Sequence, residues 1–98
     1  MIDGVEFSAD GHMVDATVWT RALGESIATL HAVVLSDEHW KIIDFARAEF
    51  LEKKASPNIR RITQGTGIAT KALYTLFPRA PARTVAKIAG IPKPVGCL

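Results

Sequence analysis

Residues 35–54 read LSDEHWKIIDFARAEFLEKK, and this stretch decides the fold because its pattern predicts one long amphipathic helix. Ser36 is a favourable N-cap, since its hydroxyl can accept a hydrogen bond from a free backbone N–H of the first turn. Asp37 and Glu38 then place negative charge at the positive end of the helix dipole. The apolar side chains form one wide stripe, made of Trp40, Ile42, Ile43, Phe45, Phe50 and Leu51. We therefore predict that this helix forms the centre of the core.

The residues before the central helix predict a short hairpin and one further helix. The segment GVEFSADGHMV alternates around Asp10-Gly11, a turn dipeptide, which indicates paired strands at residues 4–7 and 12–14. From about Asp15 to His31, apolar residues recur at spacings of three and four, which is typical of one helical face. Two strands alone are only marginally stable in water, so we expect the hairpin to pack on helices.

Three shorter helices are predicted after the central one. SPNIRRIT begins a helix with Ser56 as N-cap and Pro57 at the first helical position, and QGTG ends it. Residues 68–77 predict the next helix. Residues 81–89 predict the last one, with Gly90 as its C-cap.

This layout predicts an α+β fold that is mostly α. An N-terminal β-hairpin or meander would pack on an array of about five helices, followed by an extended C-terminal arm. We predict a single compact domain over residues 1–90 and a mobile arm over residues 91–98 that carries Cys97.

The composition indicates in which cellular compartment the protein works, and it argues against a membrane-spanning segment. No apolar run approaches the ~20 residues needed to cross a bilayer. The acidic start MIDGVEFSAD lacks the basic and apolar regions of a signal peptide. The chain has one cysteine, which cannot form an internal disulfide. Together these features favour a protein of the reducing cytoplasm without membrane association.

Charge is divided unevenly along the chain. Residues 1–52 hold all ten acidic residues and three basic ones, whereas residues 53–98 hold nine basic residues and no Asp or Glu. The second half can be a solvated basic face, or a docking surface for an acidic partner or for nucleic acid. The candidate docking residues are Arg60, Arg61, Arg83, Lys87 and Lys93.

The chain ends KIAGIPKPVGCL, which places its single thiol second from the carboxyl terminus. Pro92 and Pro94 fix φ and bias their predecessors away from helix, while Gly96 restores freedom just before Cys97. Eight extended residues after Gly90 could project the thiol some ~20 Å from the last helix. The alternative is a disordered end with an unused cysteine.

A thiol on such an arm can act as a nucleophile or as a carrier, because its thiolate is the reactive form. The three histidines lie far upstream, so no Cys–His pair is visible, and we interpret His39 and Trp40 as capping and core residues. One cysteine and three scattered histidines do not make a metal site. We therefore expect a carrier that a partner activates rather than a stand-alone catalyst, with no cofactor except a transient covalent persulfide on Cys97.

Four stretches resemble the DsrC/TusE family and cover nearly the whole chain. They are LSDEHWKIIDFAR, SPNIRRI, LYTLFPRAPARTVAKIAGIPKPVGCL and the N-terminal DG…VW. The terminal KIAGIPKPVGC is the most specific of these. The resemblance implies a β-hairpin or meander packed on about five helices, and a penultimate cysteine, here Cys97, that carries sulfur. His12 departs from the pattern, in which an apolar residue would follow the turn glycine.

The family has two branches, which differ in a second cysteine. The branch associated with dissimilatory sulfite reductase has one earlier in the arm, at the position of Ala86 here. The TusE-like branch keeps only the last cysteine. It accepts persulfide sulfur from a donor complex of the TusBCD or DsrEFH type and passes it to a tRNA 2-thiouridylase. The chain resembles this second branch, although single-cysteine relatives also occur in sulfur-oxidising organisms.

These observations predict a sulfur carrier that accepts persulfide sulfur on Cys97. The sulfur would serve the 2-thiolation of wobble uridine in tRNA, and the carrier would contact the tRNA only through its partner. One alternative is a DsrC-like carrier in oxidative or dissimilatory sulfur metabolism, with a sulfite-reductase-type acceptor. Another is a basic helical regulatory module that binds nucleic acid. The charge asymmetry favours this alternative, but no base-reading pattern supports it.

Overall fold

Five α-helices make up the fold that a computed structural model describes over residues 4–94. They are α1 (Arg21–Leu30), α2 (Asp37–Lys53), α3 (Ile59–Thr66), α4 (Thr70–Leu76) and α5 (Pro81–Ala89), preceded by a short 3-10 turn at Ala16–Val18. The predicted number of helices agrees with this array. Within residues 4–94, no helix combines the length and the apolar character needed to span a membrane.

The predicted central helix is confirmed as α2, which packs against both α3 and α5. Ile42 and Ile43 of its apolar stripe are fully buried, as is Ala46, whereas Leu51 of the predicted stripe is exposed. At its start, the Ser36 N–H donates to His39 Nδ1 at 3.1 Å, and His39 Nε2 donates to the carbonyl of Leu76 at 2.8 Å. His39 therefore joins the start of α2 to the end of α4, in the capping and packing role that we assigned to it.

The predicted N-terminal β-hairpin is wrong, because residues 4–94 contain no β-strand and no sheet. The chain does reverse direction there: the Ser8 N–H donates to the His12 carbonyl at 2.7 Å, and Phe7 and Met13 form a single isolated bridge. His12 and Met13 are each 2% exposed, since both side chains pack into the helical body. The segment is therefore a turn packed on the helices, with one bridge and no strand ladder.

Three helices begin later than their sequences predict, and one of them is α4, which begins at Thr70 and not at residue 68. The helix expected from about Asp15 starts only after Thr20, whose side chain accepts a hydrogen bond from the Leu23 N–H at 3.2 Å. Asp15 instead caps the 3-10 turn at Ala16–Val18, where its side chain accepts a hydrogen bond from the Thr17 N–H. Helix α3 is capped by Asn58, whose side chain accepts a hydrogen bond from the Arg61 N–H at 2.9 Å, and not by Ser56.

Helix α5 is the element from which the arm departs, and it is packed on three sides. It contacts α1, α2 and α3, and Val85, Ala86, Ile88 and Ala89 are buried along it. Pro81 occupies its first turn, as predicted, where the missing N–H leaves no partner unsatisfied. The arm therefore starts from a well-packed helix.

Candidate functional site

Cys97 lies outside the described residues, but the structure describes the first four residues of the arm, 91–94, which we call the arm root. Gly90 ends α5 in the left-handed conformation, with φ of 70°. The Ile91 N–H donates to the Ala86 carbonyl at 3.0 Å and the Gly90 N–H to the Lys87 carbonyl at 3.2 Å. This pair of hydrogen bonds is a Schellman motif, so the predicted C-cap at Gly90 is confirmed.

The arm root packs against the body. Ile91 is fully buried, and its carbonyl accepts a hydrogen bond from His12 Nδ1 at 3.3 Å. The Pro92 carbonyl accepts one from the Ser56 hydroxyl at 2.5 Å. The turn that contains His12 and the loop that precedes α3 thus hold the arm root from two directions.

The last two residues of the arm root also contact the body. Lys93 Nζ lies 3.8 Å from Asp10 Oδ2, and the side chain of Pro94 is buried. Counted from Pro94, three residues reach only about 10 Å at ~3.3 Å per extended residue. The arm therefore extends only about 10 Å beyond the packed arm root. The predicted domain boundary at residue 90 stays a prediction.

The other side of the α5 terminus is held by Trp19 and Arg47. Trp19 Nε1 donates to the Ile88 carbonyl at 2.8 Å, and Arg47 Nη1 donates to the Ala89 carbonyl at 2.8 Å. The Arg47 guanidinium lies 4.3 Å from the centre of the Trp19 ring, and burial lowers its pKa. A cation at the carbonyl end of a helix is stabilised by the helix dipole. The sequence carries one signal for this role, namely that Arg47 lies four residues after the buried Ile43 on α2.

A small basic pocket lies beside the arm root. Its volume is about 150 Å³, and its lining residues are Asp10, His12, Arg83, Lys87 and Lys93. Three of the five predicted docking residues therefore come together at the point where the arm leaves the body.

The two other predicted docking residues lie on α3 and do not line this pocket. Arg60 is exposed. Arg61 Nε donates to Glu49 Oε2 at 2.6 Å, and this hydrogen bond lowers the pKa of Glu49 and raises that of Arg61. Arg61 thus has a structural partner, and a docking role for either arginine stays a prediction. Within residues 4–94, no cluster of three or more His, Cys, Asp or Glu side chains could hold a metal ion.

His12 is a functional candidate that the sequence presented only as a departure from the family pattern. Burial lowers its pKa below the ordinary 6.5, and this effect exceeds the opposing effect of its hydrogen bond to Ile91. Lys87 and Lys93 lower the pKa further, whereas Asp10 raises it. The burial of His12 therefore favours its neutral form, whose Nδ1 donates to the arm root.

We expect the free energy of unfolding to fall as pH is lowered from about 7 to about 5, because the unfolded chain binds protons on histidine more readily than the folded one. His12→Asn can keep a donor near the Nδ1 position without titrating, so this variant should show a shallower pH dependence. Urea unfolding over this pH range measures both slopes. Burial also lowers the pKa of His31, which leaves a residual slope in the variant. An unchanged slope in His12→Asn would contradict a neutral, buried His12.

Comparison with known proteins places this arrangement among sulfur-handling proteins. The family model described as "DsrC like protein" matches residues 2–98. The Sulfurtransferase TusE of Salmonella typhimurium is 37% identical over 107 aligned residues, covering 100% of this chain and 98% of the relative. The NMR structure of Allochromatium vinosum DsrC has a TM-score of 0.86 at 31% identity and covers 99% of this chain and 95% of that one. The oxidised γ-subunit of dissimilatory sulfite reductase (DsrC) from Archaeoglobus fulgidus has a TM-score of 0.81 at 28% identity, covering 96% and 92%.

Proposed function

We propose that this chain, which belongs to the DsrC-like family and is a sulfur-relay protein, accepts persulfide sulfur on Cys97. It then passes the sulfur to a partner enzyme. The observation that carries this proposal is that Cys97 is the only cysteine of a chain matched by the family over residues 2–98. The relatives are named sulfurtransferases, and an acceptor thiol in this chain can only be Cys97.

Each transfer is an exchange at sulfur that needs no external oxidant or reductant. The Cys97 thiolate attacks the outer sulfur of a donor cysteine persulfide, a new S–S bond forms, and the donor cysteine leaves as a thiolate. In the second step, an acceptor thiolate attacks the outer sulfur on Cys97, and Cys97 leaves as a thiolate. The protein is therefore unchanged after one relay cycle and requires no cofactor beyond the transient persulfide.

The position of Ala86 supports a carrier with one thiol. This residue, which stands where the two-cysteine branch has its second cysteine, is buried within α5, and its methyl side chain cannot take part in exchange. Sulfur on Cys97 thus cannot be displaced by a second thiol of the same chain. This favours delivery to another protein over storage within the carrier.

The arm root sets a geometric condition on the partners. While its contacts with His12 and Ser56 persist, the arm root stays on the body, and the chain after Pro94 can reach only about 10 Å from there at ~3.3 Å per residue. A donor or acceptor must then present its cysteine close to the basic pocket, or its binding must replace these contacts. Both cases predict that the partner contacts the body around Arg83, Lys87 and Lys93.

We assign the acceptor to tRNA 2-thiouridylation in the cytoplasm, with a donor complex of the TusBCD or DsrEFH type. The sulfurtransferase TusE relatives and the single cysteine support this route. The second candidate is delivery to a sulfite-reductase-type acceptor, which the likeness to the sulfite reductase γ-subunit favours.

A reconstituted relay separates these routes. The donor complex is loaded with radiolabelled sulfur and offered either a tRNA thiouridylase with its tRNA or a sulfite-reductase-type enzyme, with and without this protein. We expect labelled 2-thiouridine to form only when this protein is present. Label on the reductase alone would refute the tRNA route and keep the relay. Label transfer that never depends on this protein would refute the relay itself.

A further inference from the structure

Two neighbouring surface cavities lie along α5, and the smaller one reaches the arm root. A cavity of about 520 Å³ between the loop after α1 and the loop before α5 shares Arg83 and Lys87 with the smaller basic pocket. We call the combined surface the basic groove. Its charged and titratable members, apart from Asp10, are His31, Arg79, Arg83, Lys87, His12 and Lys93.

Lys87 joins the two parts of this groove. Its side chain is half-buried, and a Cβ atom built on Gly11 would lie 3.6 Å from Lys87 Cε, so the lysine stem lies across the turn. Its charge acts on both neighbouring histidines, lowering the pKa of His12 and of His31. The ammonium group is thus placed between the two cavities.

Within the described residues, few of the cations of the groove have an ion-pair partner. Among residues 4–94, Arg79, Arg83 and Lys87 make no ion pair within 4.0 Å. Asp10 is the only carboxylate that lines the two cavities in the described part of the chain, and it pairs with Lys93. Arg83 and Lys87 are four residues apart on α5, which places their Cβ atoms about 5–6 Å apart on one face.

The groove combines cations with small apolar side chains, namely Ala32, Val33, Pro78 and Ala80, and no Trp, Tyr or Phe of the described residues lines it. Stable protein interfaces are centred on buried aromatic or large apolar side chains. The exposed large apolar residues of the described part are Val14, Val18, Leu30, Val34, Leu51 and Tyr74, and none of them lines the groove. Nucleic-acid interfaces are instead polar and strongly cationic.

We propose that the basic groove binds the phosphate backbone of RNA. The choice of RNA rests on the proposed function, because a tRNA-modifying acceptor places the relayed sulfur on RNA. Since the groove reaches the arm root, RNA lying in it would pass beside the segment that leads to Cys97. The carrier would then contact the modified molecule itself in addition to the enzyme that holds it.

Binding of this kind should be weak, sequence-independent and sensitive to salt. Phosphate contacts from Lys and Arg position a protein on the backbone but do not read bases. Four such contacts, from Arg79, Arg83, Lys87 and Lys93, predict a slope of log K against log salt of about −3. The dissociation constant should fall in the range of about 10⁻⁴–10⁻⁶ M at physiological salt.

The test is fluorescence anisotropy of a labelled tRNA transcript titrated with this protein, without donor or acceptor enzymes. The double variant Arg83→Ala/Lys87→Gln removes two groove charges and keeps most of the Lys87 stem. We expect its affinity to fall about tenfold or more and its salt slope to become shallower by about 1.5. Lys41→Ala/Lys71→Ala is the charge-matched control, since both lysines are exposed and neither lines the groove. Its affinity should stay near that of the wild type.

Three results would overturn the proposal: no RNA binding, equal losses in the two double variants, or equally tight binding of polyglutamate, which would mark a surface for acidic proteins. Because the assay contains no persulfide, it is independent of sulfur transfer. Cys97→Ser should bind the transcript as the wild type does, so a failure of the groove and a failure of the relay are distinguishable.

Discussion

Replacing Cys97 by serine is expected to abolish sulfur uptake completely. Cys97 is the only cysteine of the chain, and serine keeps its size while removing the polarisable sulfur that attacks a persulfide. Intact-mass spectrometry after incubation with a persulfide donor measures the effect. The wild-type protein should gain the mass of one sulfur atom, a reductant should remove that mass, and the variant should gain nothing.

The control for this experiment is Leu98→Ala, which changes the adjacent terminal residue and keeps the thiol. It should take up sulfur to the same extent as the wild type. Cys97→Ser leaves every residue of 4–94 unchanged, and we expect its unfolding midpoint to match that of the wild type. A sulfur adduct of equal abundance on Cys97→Ser would refute the assignment of Cys97 as the carrier.

The parts of the fold that sequence predicted well are those specified by neighbouring residues. Helix α2 carries its own cap, its dipole-matched charges and its apolar stripe within one stretch, and the structure confirms the helix, although Leu51 of the stripe is exposed. Helix α5 begins at Pro81 and ends at Gly90 for similarly local reasons. Signals of this kind need no knowledge of distant contacts.

The hairpin prediction failed because a turn signal does not reveal what the flanking side chains pack against. The turn forms, but His12 and Met13 are buried among helices, and only one bridge pairs the two flanks. The segment packs over the helices and contacts the arm root. The His12 to Ile91 hydrogen bond joins residues 79 apart in sequence, and no periodicity indicates such a contact.

The candidate site was predictable in part. The arm, its thiol and the basic second half of the chain are visible in the sequence, and three of the five proposed docking residues meet at the arm root. Arg47 and Trp19 were missed as supports of the α5 terminus, because each donates to a carbonyl brought close only by tertiary folding. That support fixes the geometry from which the arm departs.

The second large effect is expected at Gly90, where alanine should destabilise the fold by about 3–4 kcal/mol. A left-handed φ costs a residue with a Cβ about 1–2 kcal/mol, and overpacking costs about 1–3 kcal/mol. Gly90 has φ of 70°, and its new Cβ would lie 2.3 Å from Trp19 Cδ1 and 2.9 Å from Met13 Sδ. For a domain of this size, the thermal midpoint should fall by about 20 °C.

Gly67→Ala separates the two causes of this loss. Gly67 also has a positive φ, of 76°, and also ends a helix, but nothing lies within 4 Å of its new Cβ. It should therefore lose only the conformational part, about 1–2 kcal/mol. Equal losses at the two glycines would show that Trp19 does not constrain Gly90. A larger loss at Gly90 would mean that the Trp19 indole constrains Gly90. Because the same indole donates a hydrogen bond to the Ile88 carbonyl, it would then fix where the sulfur-carrying arm begins.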